Sequence, residues 1–312
     1  MKKALALLAA AALALSGCSQ NVAEPEPSEQ PFTGLTIVAS TNVWGDIAKS
    51  IGGDKVKVVS IIDNFAQDPH SYEASARDQL AVNEADLVIA NGGGYDFFIE
   101  QLAQSQDKEI IFAFEPDELA EQDEMAEEGH EHDHNHDHAA GNEHVWYDFH
   151  VVNDFASRLA AKLSSLDSAN MNAYADNLAI FQNEIEILED RVAKLSADLS
   201  NKKVISSEPV ADYLLAELGL ENITPKAFSQ AIEEELDVSP KDLLEIQNLI
   251  KNKRVDLFVV NPQTGSVQID GLVELANGNG IPVVELSELL PQGISYFEWM
   301  DNNIAAIAEG MQ

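Results

Sequence analysis

The feature that most restricts the fold of this chain is the alternation of short apolar runs with amphipathic helical stretches. Apolar runs rich in β-branched residues predict buried strands, and the helical patterns lie between them. The predicted strands of the first half are Leu35–Ser40, Val56–Ile62, Leu87–Asn91 and Glu109–Phe114. The second half repeats the pattern with Lys203–Ser206, Val255–Val260 and Pro282–Leu286. This alternation is typical of α/β lobes with largely parallel sheets.

Between the two halves, one long segment has the periodicity of a single amphipathic helix. From about Met171 to Leu199, apolar residues recur at alternating steps of four and three, which keeps them on one face. They are Tyr174, Leu178, Phe181, Ile185, Leu188, Val192 and Leu195. A helix of this size would be roughly 45 Å long, enough to cross a domain. We therefore predict an N-lobe (34–165), a rigid linking helix (166–200) and a C-lobe (201–312), both lobes being α/β with mostly parallel sheets flanked by helices.

An acidic, histidine-rich segment at residues 115–143 interrupts the N-lobe. It contains eleven acidic residues up to Asp137 and no lysine or arginine. Its five histidines occupy alternate positions: His130, His132, His134, His136 and His138. No apolar face is present, so the segment is predicted to be a loop rather than a strand. It is interpreted as an accessory metal-binding loop, with a solvated acidic segment as the alternative.

The first residues have the pattern of a secretory signal. Lys2 and Lys3 precede the apolar stretch 4–15, which is too short to span a bilayer as a mature helix. The following Leu15-Ser16-Gly17-Cys18 resembles a bacterial lipobox, in which the cysteine is lipidated. We predict a signal peptide at 1–18, lipidation of Cys18 and a disordered, proline-containing tether at 19–33. A plain signal peptide with an incidental cysteine is the alternative.

Charge and cysteine content exclude several classes of function. The chain has 54 acidic and 18 basic residues, a formal net charge of −36. Such a protein repels nucleic-acid phosphates and attracts cations, so no nucleic-acid partner is expected. The single cysteine allows neither an internal disulfide nor a cysteine-rich zinc site. Membrane association is expected only through the lipid anchor.

Four metal-competent residues stand next to predicted elements, two in each half. His70 follows the second strand, and His144 lies where the acidic segment rejoins the fold. Glu208 and Glu288 each come just after a strand of the second half. The alternative to a ligand role is a surface histidine for His70 and His144, and a solvated carboxylate for Glu208 and Glu288. His150 is a much weaker candidate ligand than His144. A cleft between two lobes would bring such loops together.

The chain resembles the zinc- and manganese-binding solute receptors of bacterial ABC importers, which have two lobes joined by a helix. The most specific matches are Asp68-Pro69-His70-Ser71-Tyr72-Glu73 and His144-Val145-Trp146. Further matches are Ala39-Ser40-Thr41, Ala85-Asp86-Leu87-Val88, Tyr213 with Gly219-Leu220, Ser295-Tyr296 and Asn302-Asn303. The resemblance implies that His70, His144, Glu208 and Glu288 are the metal ligands. Glu208 stands where zinc receptors have histidine, and Glu288 where aspartate is usual.

Imidazole ligands suit zinc, whereas carboxylate oxygens suit manganese, so this ligand set is borderline. The histidine-rich loop, which marks zinc receptors in the resembling family, favours Zn²⁺, with Mn²⁺ or iron as the alternative. The resemblance implies an extracytoplasmic, lipid-anchored receptor that delivers its ion to an ABC permease, and we expect a monomer.

Two other classes of function compete with a receptor. A zinc hydrolase is disfavoured because the chain lacks a His-Glu-x-x-His motif and a nucleophile elbow. Four protein ligands would also leave no open position on the metal. A surface adhesin or metal sink remains the alternative to an importer component.

Overall fold

The computed structural model describes residues 32–65, 67, 69, 72–114, 142–233 and 236–312. It contains two parallel four-stranded sheets in the orders β2-β1-β3-β4 and β6-β5-β7-β8. The strands of the first sheet are β1 (Leu35–Thr41), β2 (Val56–Ile62), β3 (Leu87–Gly92) and β4 (Ile110–Phe114). Those of the second are β5 (Lys203–Ser206), β6 (Glu221–Asn222), β7 (Leu257–Val260) and β8 (Val283–Glu285). The predicted α/β class with two parallel sheets is confirmed.

Helices connect the strands, as parallel pairing requires. The N-terminal half contains α1 (Asn42–Gly52), α2 (Ala76–Glu84), α3 (Phe97–Ser105) and α4 (Phe149–Leu166). The linking helix is α5 (Met171–Leu199). The C-terminal half contains α6 (Asp212–Glu217), α7 (Lys226–Glu233), α8 (Pro240–Lys251), α9 (Val267–Asn279) and α10 (Tyr296–Gly310). In the described part of the chain, no helix combines the length and apolarity needed to cross a membrane.

The apolar stripe predicted along α5 is the face that packs. Tyr174, Phe181, Ile185, Leu188 and Val192 are buried in the largest hydrophobic cluster. That cluster also includes β1 and α1 residues from the N-lobe and β5, β7 and α10 residues from the C-lobe. One hydrophobic core therefore runs through both lobes and through the helix between them.

Two smaller clusters complete the core. One lies within the C-lobe, around Phe228, Phe258 and Ile246. The other lies on the opposite face of the N-lobe sheet, around Val38, Val88 and Ile99. It contains a single residue from the C-lobe, Leu289, which is fully buried. The segment after β8 therefore crosses to the N-lobe and inserts a side chain into its core.

Candidate metal centre

Three buried polar residues follow strands of the C-lobe sheet. Glu208 comes two residues after β5, Asn261 directly after β7, and Glu288 three residues after β8. They are only 3%, 3% and 2% exposed, respectively. Since all the strands are parallel, these residues share the carboxyl edge of the sheet, where open α/β sheets place ligand sites.

The Asn261 amide joins the two predicted carboxylate ligands. Its Nδ2 lies 2.7 Å from Glu208 Oε2 and 2.7 Å from Glu288 Oε1. An amide nitrogen carries two hydrogens, so it donates one to each carboxylate. Glu208 and Glu288 follow different strands and are 80 residues apart in the sequence, yet one buried amide holds their carboxylates next to each other.

The second oxygen of Glu288 is held by the N-lobe. Tyr95 donates from its hydroxyl to Glu288 Oε2 over 2.8 Å. Burial, and then the charge of Glu288, raise the pKa of Tyr95 well above its ordinary value, so the phenol stays protonated as a donor. Tyr95 follows a turn that begins at Gly92, where φ is 84° and a Cβ would lie 2.2 Å from the Phe114 carbonyl oxygen. Only glycine fits that close approach.

His144 is held in one tautomer by Asn142. The backbone N–H of His144 donates to Asn142 Oδ1 over 3.1 Å, and Asn142 Nδ2 donates to the Pro209 carbonyl over 2.9 Å. These two bonds fix which end of the amide is the oxygen. His144 Nδ1 lies 2.7 Å from that oxygen and must carry the hydrogen. The lone pair of the neutral imidazole is then on Nε2, which is the arrangement of a histidine metal ligand.

Aromatic rings surround these polar groups. Trp146 packs against both Tyr95 and His144, with ring centroids 4.9 Å and 5.2 Å away. The Tyr147 hydroxyl donates to the Ser287 carbonyl over 2.9 Å. These rings are buried, and electrostatic interactions are stronger in a buried, low-dielectric environment than in water.

The N-lobe side of the centre is also acidic. Asp96 is fully buried and accepts hydrogen bonds from the backbone N–H groups of Asn91 and Gly92. Burial raises the pKa of Asp96 despite these bonds. Burial, and then the charge of Asp96, raise the pKa of Glu143 to about 7. A concentration of carboxylates whose charge is costly favours a bound cation.

Three of the four predicted ligands lie in the described residues and are connected through shared neighbours. His144, Glu208 and Glu288 are linked through Tyr95, Asn142 and Asn261. Within the described residues, however, no three His, Cys, Asp or Glu side chains are placed to hold one ion. His70, the histidines at 130–138 and Cys18 lie outside the described residues. The four-ligand set therefore stays a prediction. The side chain of His150 is 74% exposed, and its Nδ1 lies 3.7 Å from Glu189 Oε1. It therefore stays the weaker candidate ligand.

Sequence reasoning missed four residues of the centre: Tyr95, Asn142, Asn261 and Glu233. The sequence could have indicated Asn261, because it comes directly after a predicted strand, and Glu208 comes two residues after another. Glu233 ends α7, a helix that was not predicted, and its Oε1 lies 4.0 Å from His144 Nδ1. Tyr95 and Asn142 had no local signal, because their roles depend on contacts across the fold.

Comparison with known proteins identifies the relatives of the chain. A profile of the family described as zinc-uptake complex component A, periplasmic, matches residues 37–310. The metal ABC transporter substrate-binding lipoprotein ScbA of Streptococcus cristatus is 26% identical over 327 residues, covering 100% of this chain and 99% of the relative. The manganese ABC transporter substrate-binding lipoprotein PsaA of Streptococcus pneumoniae is 26% identical over 329 residues, covering 100% and 99%.

Solved structures share the fold. The periplasmic zinc-binding protein TroA of Treponema pallidum superposes with a TM-score of 0.71 at 16% identity, covering 89% of this chain and 99% of that chain. At that identity the similarity concerns the architecture of two lobes and a connecting helix.

Proposed function

Because the chain belongs to the family of the periplasmic zinc-uptake complex component A, we propose that it captures one divalent transition-metal ion between its lobes and delivers it to an ABC importer. The relatives are substrate-binding receptors of metal ABC transporters and not enzymes. The protein is accordingly a receptor with an extracytoplasmic location, and the metal is its cargo.

One observation supports this function most directly. The Glu288 carboxylate accepts hydrogen bonds from Tyr95 of the N-lobe and Asn261 of the C-lobe, at 2.8 Å and 2.7 Å. The two lobes thus meet at a buried anionic centre, next to a second carboxylate and a histidine in the tautomer of a ligand. A divalent cation would neutralise these two carboxylates, so the loaded site would carry little net charge and could stay buried.

The proposed ligands are neutral His70 and His144 with ionised Glu208 and Glu288. Zn²⁺ is the proposed cargo, because two imidazoles and two carboxylate oxygens complete a four-coordinate site. Mn²⁺ is the alternative, since a bidentate carboxylate would raise the coordination number. Binding requires both imidazoles to be deprotonated, so acidification would release the ion.

The remaining proposals concern the parts outside the centre. Residues 1–18 would direct export, Cys18 would carry the lipid anchor, and 19–33 would tether a monomeric body to the membrane. The lobe boundaries would be 34–165 and 201–312, with 166–200 as the link. The histidines at 130–138 would raise the local metal concentration as tethered weak sites.

Isothermal titration calorimetry with Zn²⁺ and Mn²⁺ tests the function. The wild-type protein should bind one ion per chain in the centre, and His144→Ala and Glu208→Gln should each bind the cargo at least about 10-fold more weakly. His150→Ala is the matched control, because that exposed histidine should be dispensable for the centre. Wild-type affinity in both centre variants would contradict the assignment, and tighter binding of Mn²⁺ than of Zn²⁺ would replace the proposed cargo.

A further inference from the structure

Strand β8 lies at an edge of the C-lobe sheet, and only part of its backbone bonds to its neighbour β7. The Leu286 N–H donates to the Val260 carbonyl of β7 over 3.0 Å. Because alternate residues of a strand face opposite neighbours, the backbone groups of Val284 also face β7, whereas those of Val283 and Glu285 face outward. A row of outward N–H and C=O groups is a template for pairing with another chain.

The outward groups of β8 differ from those of β4, the edge strand of the N-lobe sheet. There Arg158 donates to the Phe112 carbonyl over 2.8 Å and to the Ala113 carbonyl over 3.1 Å. In the part of the chain that the structure describes, no group bonds to the outward N–H or C=O of Val283 or Glu285. The β8 edge is therefore available for hydrogen bonds to a partner.

A groove of about 670 Å³ follows this edge, between α9 and α10. Val273 of α9 lines one side and Ala306 of α10 lines the other. The side chain of Val283 packs into the C-lobe cluster on the α9 side, and Val284 belongs to the large cluster on the α10 side. A strand added next to β8 would therefore place successive side chains against apolar groups on both sides.

The charges of the groove are acidic. Among the described residues that line it, Glu285 and Glu309 are the charged ones, and both are exposed. Since side chains alternate along a strand, Glu285 projects on the same side as Val283, toward α9, whereas Glu309 belongs to α10. A basic side chain of an added strand would thus meet a carboxylate on either side.

We propose that the β8 edge binds an extended segment of another protein, in which basic and apolar side chains alternate, by adding it to the C-lobe sheet as a further strand. Main-chain bonds to Val283 and Glu285 supply the affinity, and the two carboxylates of the groove select basic side chains. A second copy of the chain fits less well, because it would bring Glu285 against its own counterpart. The segments 19–33 and 115–143 contain acidic residues and no lysine or arginine, so the groove repels them.

Fluorescence anisotropy with a short labelled peptide of alternating lysine and valine tests the proposal, using the full chain at about 150 mM salt. One matched peptide has the same sequence with every backbone amide N-methylated, so it keeps the charge but cannot donate. Another alternates glutamate with valine, so it can pair but has the opposite charge. The parent peptide should bind saturably, and both matched peptides should bind at least about 10-fold more weakly.

Charge reversal in the groove tests the carboxylates. The double variant Glu285→Lys/Glu309→Lys should bind the lysine–valine peptide about 10-fold more weakly, because the lysines then meet like charges on either side. The control is Glu245→Lys/Glu274→Lys, which changes the net charge equally at two exposed positions of α8 and α9 outside the groove. The control should keep the affinity of the wild type.

Hydrogen exchange of the wild-type protein locates the bound peptide and does not depend on the folding of any variant. With the lysine–valine peptide bound, the amides of Val283 and Glu285 should exchange more slowly, since their N–H groups become donors to the added strand. The Val284 amide, which already faces β7, should not change.

Three results would overturn the proposal. The N-methylated peptide might bind as tightly as its parent, or the Val283 and Glu285 amides keep their exchange rates, and either result would exclude strand addition. An equal loss of affinity in the groove variant and the control would mean that net charge alone attracts the peptide. Self-association of the free chain that slows the same two amides would make a second copy the occupant of the groove.

Discussion

The two segments that carry Glu208 and Glu288 belong to the same sheet but are held in different ways. Glu208 follows β5, which lies between β6 and β7, whereas Glu288 follows β8 at the edge. The residue before Glu208 continues the sheet, since the Ser207 N–H donates to the Val259 carbonyl over 2.9 Å. The sheet of the C-lobe therefore fixes the position of Glu208.

The segment of Glu288 is held by both lobes. Gln263 of the C-lobe accepts from the backbone N–H groups of Glu288 and Leu289, and the N-lobe supplies the other contacts. Leu289 is buried in an N-lobe cluster, and Asn42 exchanges two hydrogen bonds with the Leu290 backbone, at 2.7 Å and 3.0 Å. Tyr95 holds the Glu288 carboxylate itself. One carboxylate thus belongs to its own lobe and the other to the interface. Any movement between the lobes would change the distance between them unless the Asn261 bridge holds.

The largest expected effect on stability comes from Leu289, whose side chain anchors the segment that carries Glu288. Leu289→Ala should lower the free energy of unfolding by about 3 kcal/mol, because it leaves a cavity in a closed core. Leu244→Ala is the control: that side chain is 54% exposed, and its loss should cost less than about 0.5 kcal/mol. Urea denaturation of the metal-free proteins measures both. Similar values for the two variants would show that the segment is not anchored in the N-lobe.

The next effect concerns the bond between the N-lobe and Glu288. Tyr95→Phe should lower the free energy of unfolding of the metal-free protein by about 2 kcal/mol, since it removes a donor to a buried carboxylate. Tyr174→Phe should cost less, because the Tyr174 hydroxyl donates to Asp167 in a more exposed setting. Thermal and urea denaturation compare the pair. A loss at Tyr174 as large as that at Tyr95 would argue against a special role for the interface bond.

A smaller effect is expected at Asn42. Asn42→Ala should cost about 1 kcal/mol, because its two hydrogen bonds to Leu290 are partly accessible to water. Hydrogen exchange can localise the change. The Leu290 amide should exchange faster in the variant, whereas the Ser207 amide, held by the sheet, should not change. Faster exchange at both amides would mean that the two segments are not held independently.

The smallest expected effect is a pH dependence of the free energy of unfolding. It concerns Asp212, the first residue of α6, which follows Glu208 in the chain. Burial raises the pKa of Asp212 above its ordinary value, and the hydrogen bond from Asn222 offsets this only in part. The folded state therefore holds the proton more tightly than the unfolded state, and stability is lost as the pH rises through the folded pKa. Asp212→Asn should be more stable than wild type at neutral pH, and this advantage should disappear in acid. Urea denaturation of both proteins between about pH 3.5 and about pH 7.5, a range that brackets the ordinary carboxyl pKa, measures this advantage. A difference in the free energy of unfolding that stays the same across this range would contradict the raised pKa of Asp212.

The sequence predicted the elements whose pattern is local. Strands β2 and β5 have the predicted bounds, and helix α5 covers the predicted apolar stripe from Met171 to Leu199, although the predicted link began earlier, at residue 166. β-Branched runs and a long apolar stripe specify these elements without tertiary context. Strand β6 has two residues, too few to produce a pattern, and the short helix α7 buries only Phe228 and Ile232.

For the candidate centre, the sequence indicated candidates but not their partners. Glu208 and Glu288 are candidates because both follow strands and because the family resemblance implies a ligand at each position, and their role as ligands stays a prediction. The bridge through Asn261 could not be predicted, because it depends on how β5, β7 and β8 line up in the sheet. Likewise, no pattern around Leu289 indicates that an edge segment of one lobe packs into the other.

The central claim is that groups from both lobes meet around a single ion. A crystal of the zinc-loaded protein, with anomalous data collected at the zinc edge, tests it directly. We expect one strong peak between the lobes, with His144 Nε2 and one oxygen each of Glu208 and Glu288 at about 2.0–2.2 Å, and His70 as the fourth ligand. A peak bound only by residues of one lobe, or one next to neither carboxylate, would contradict the account.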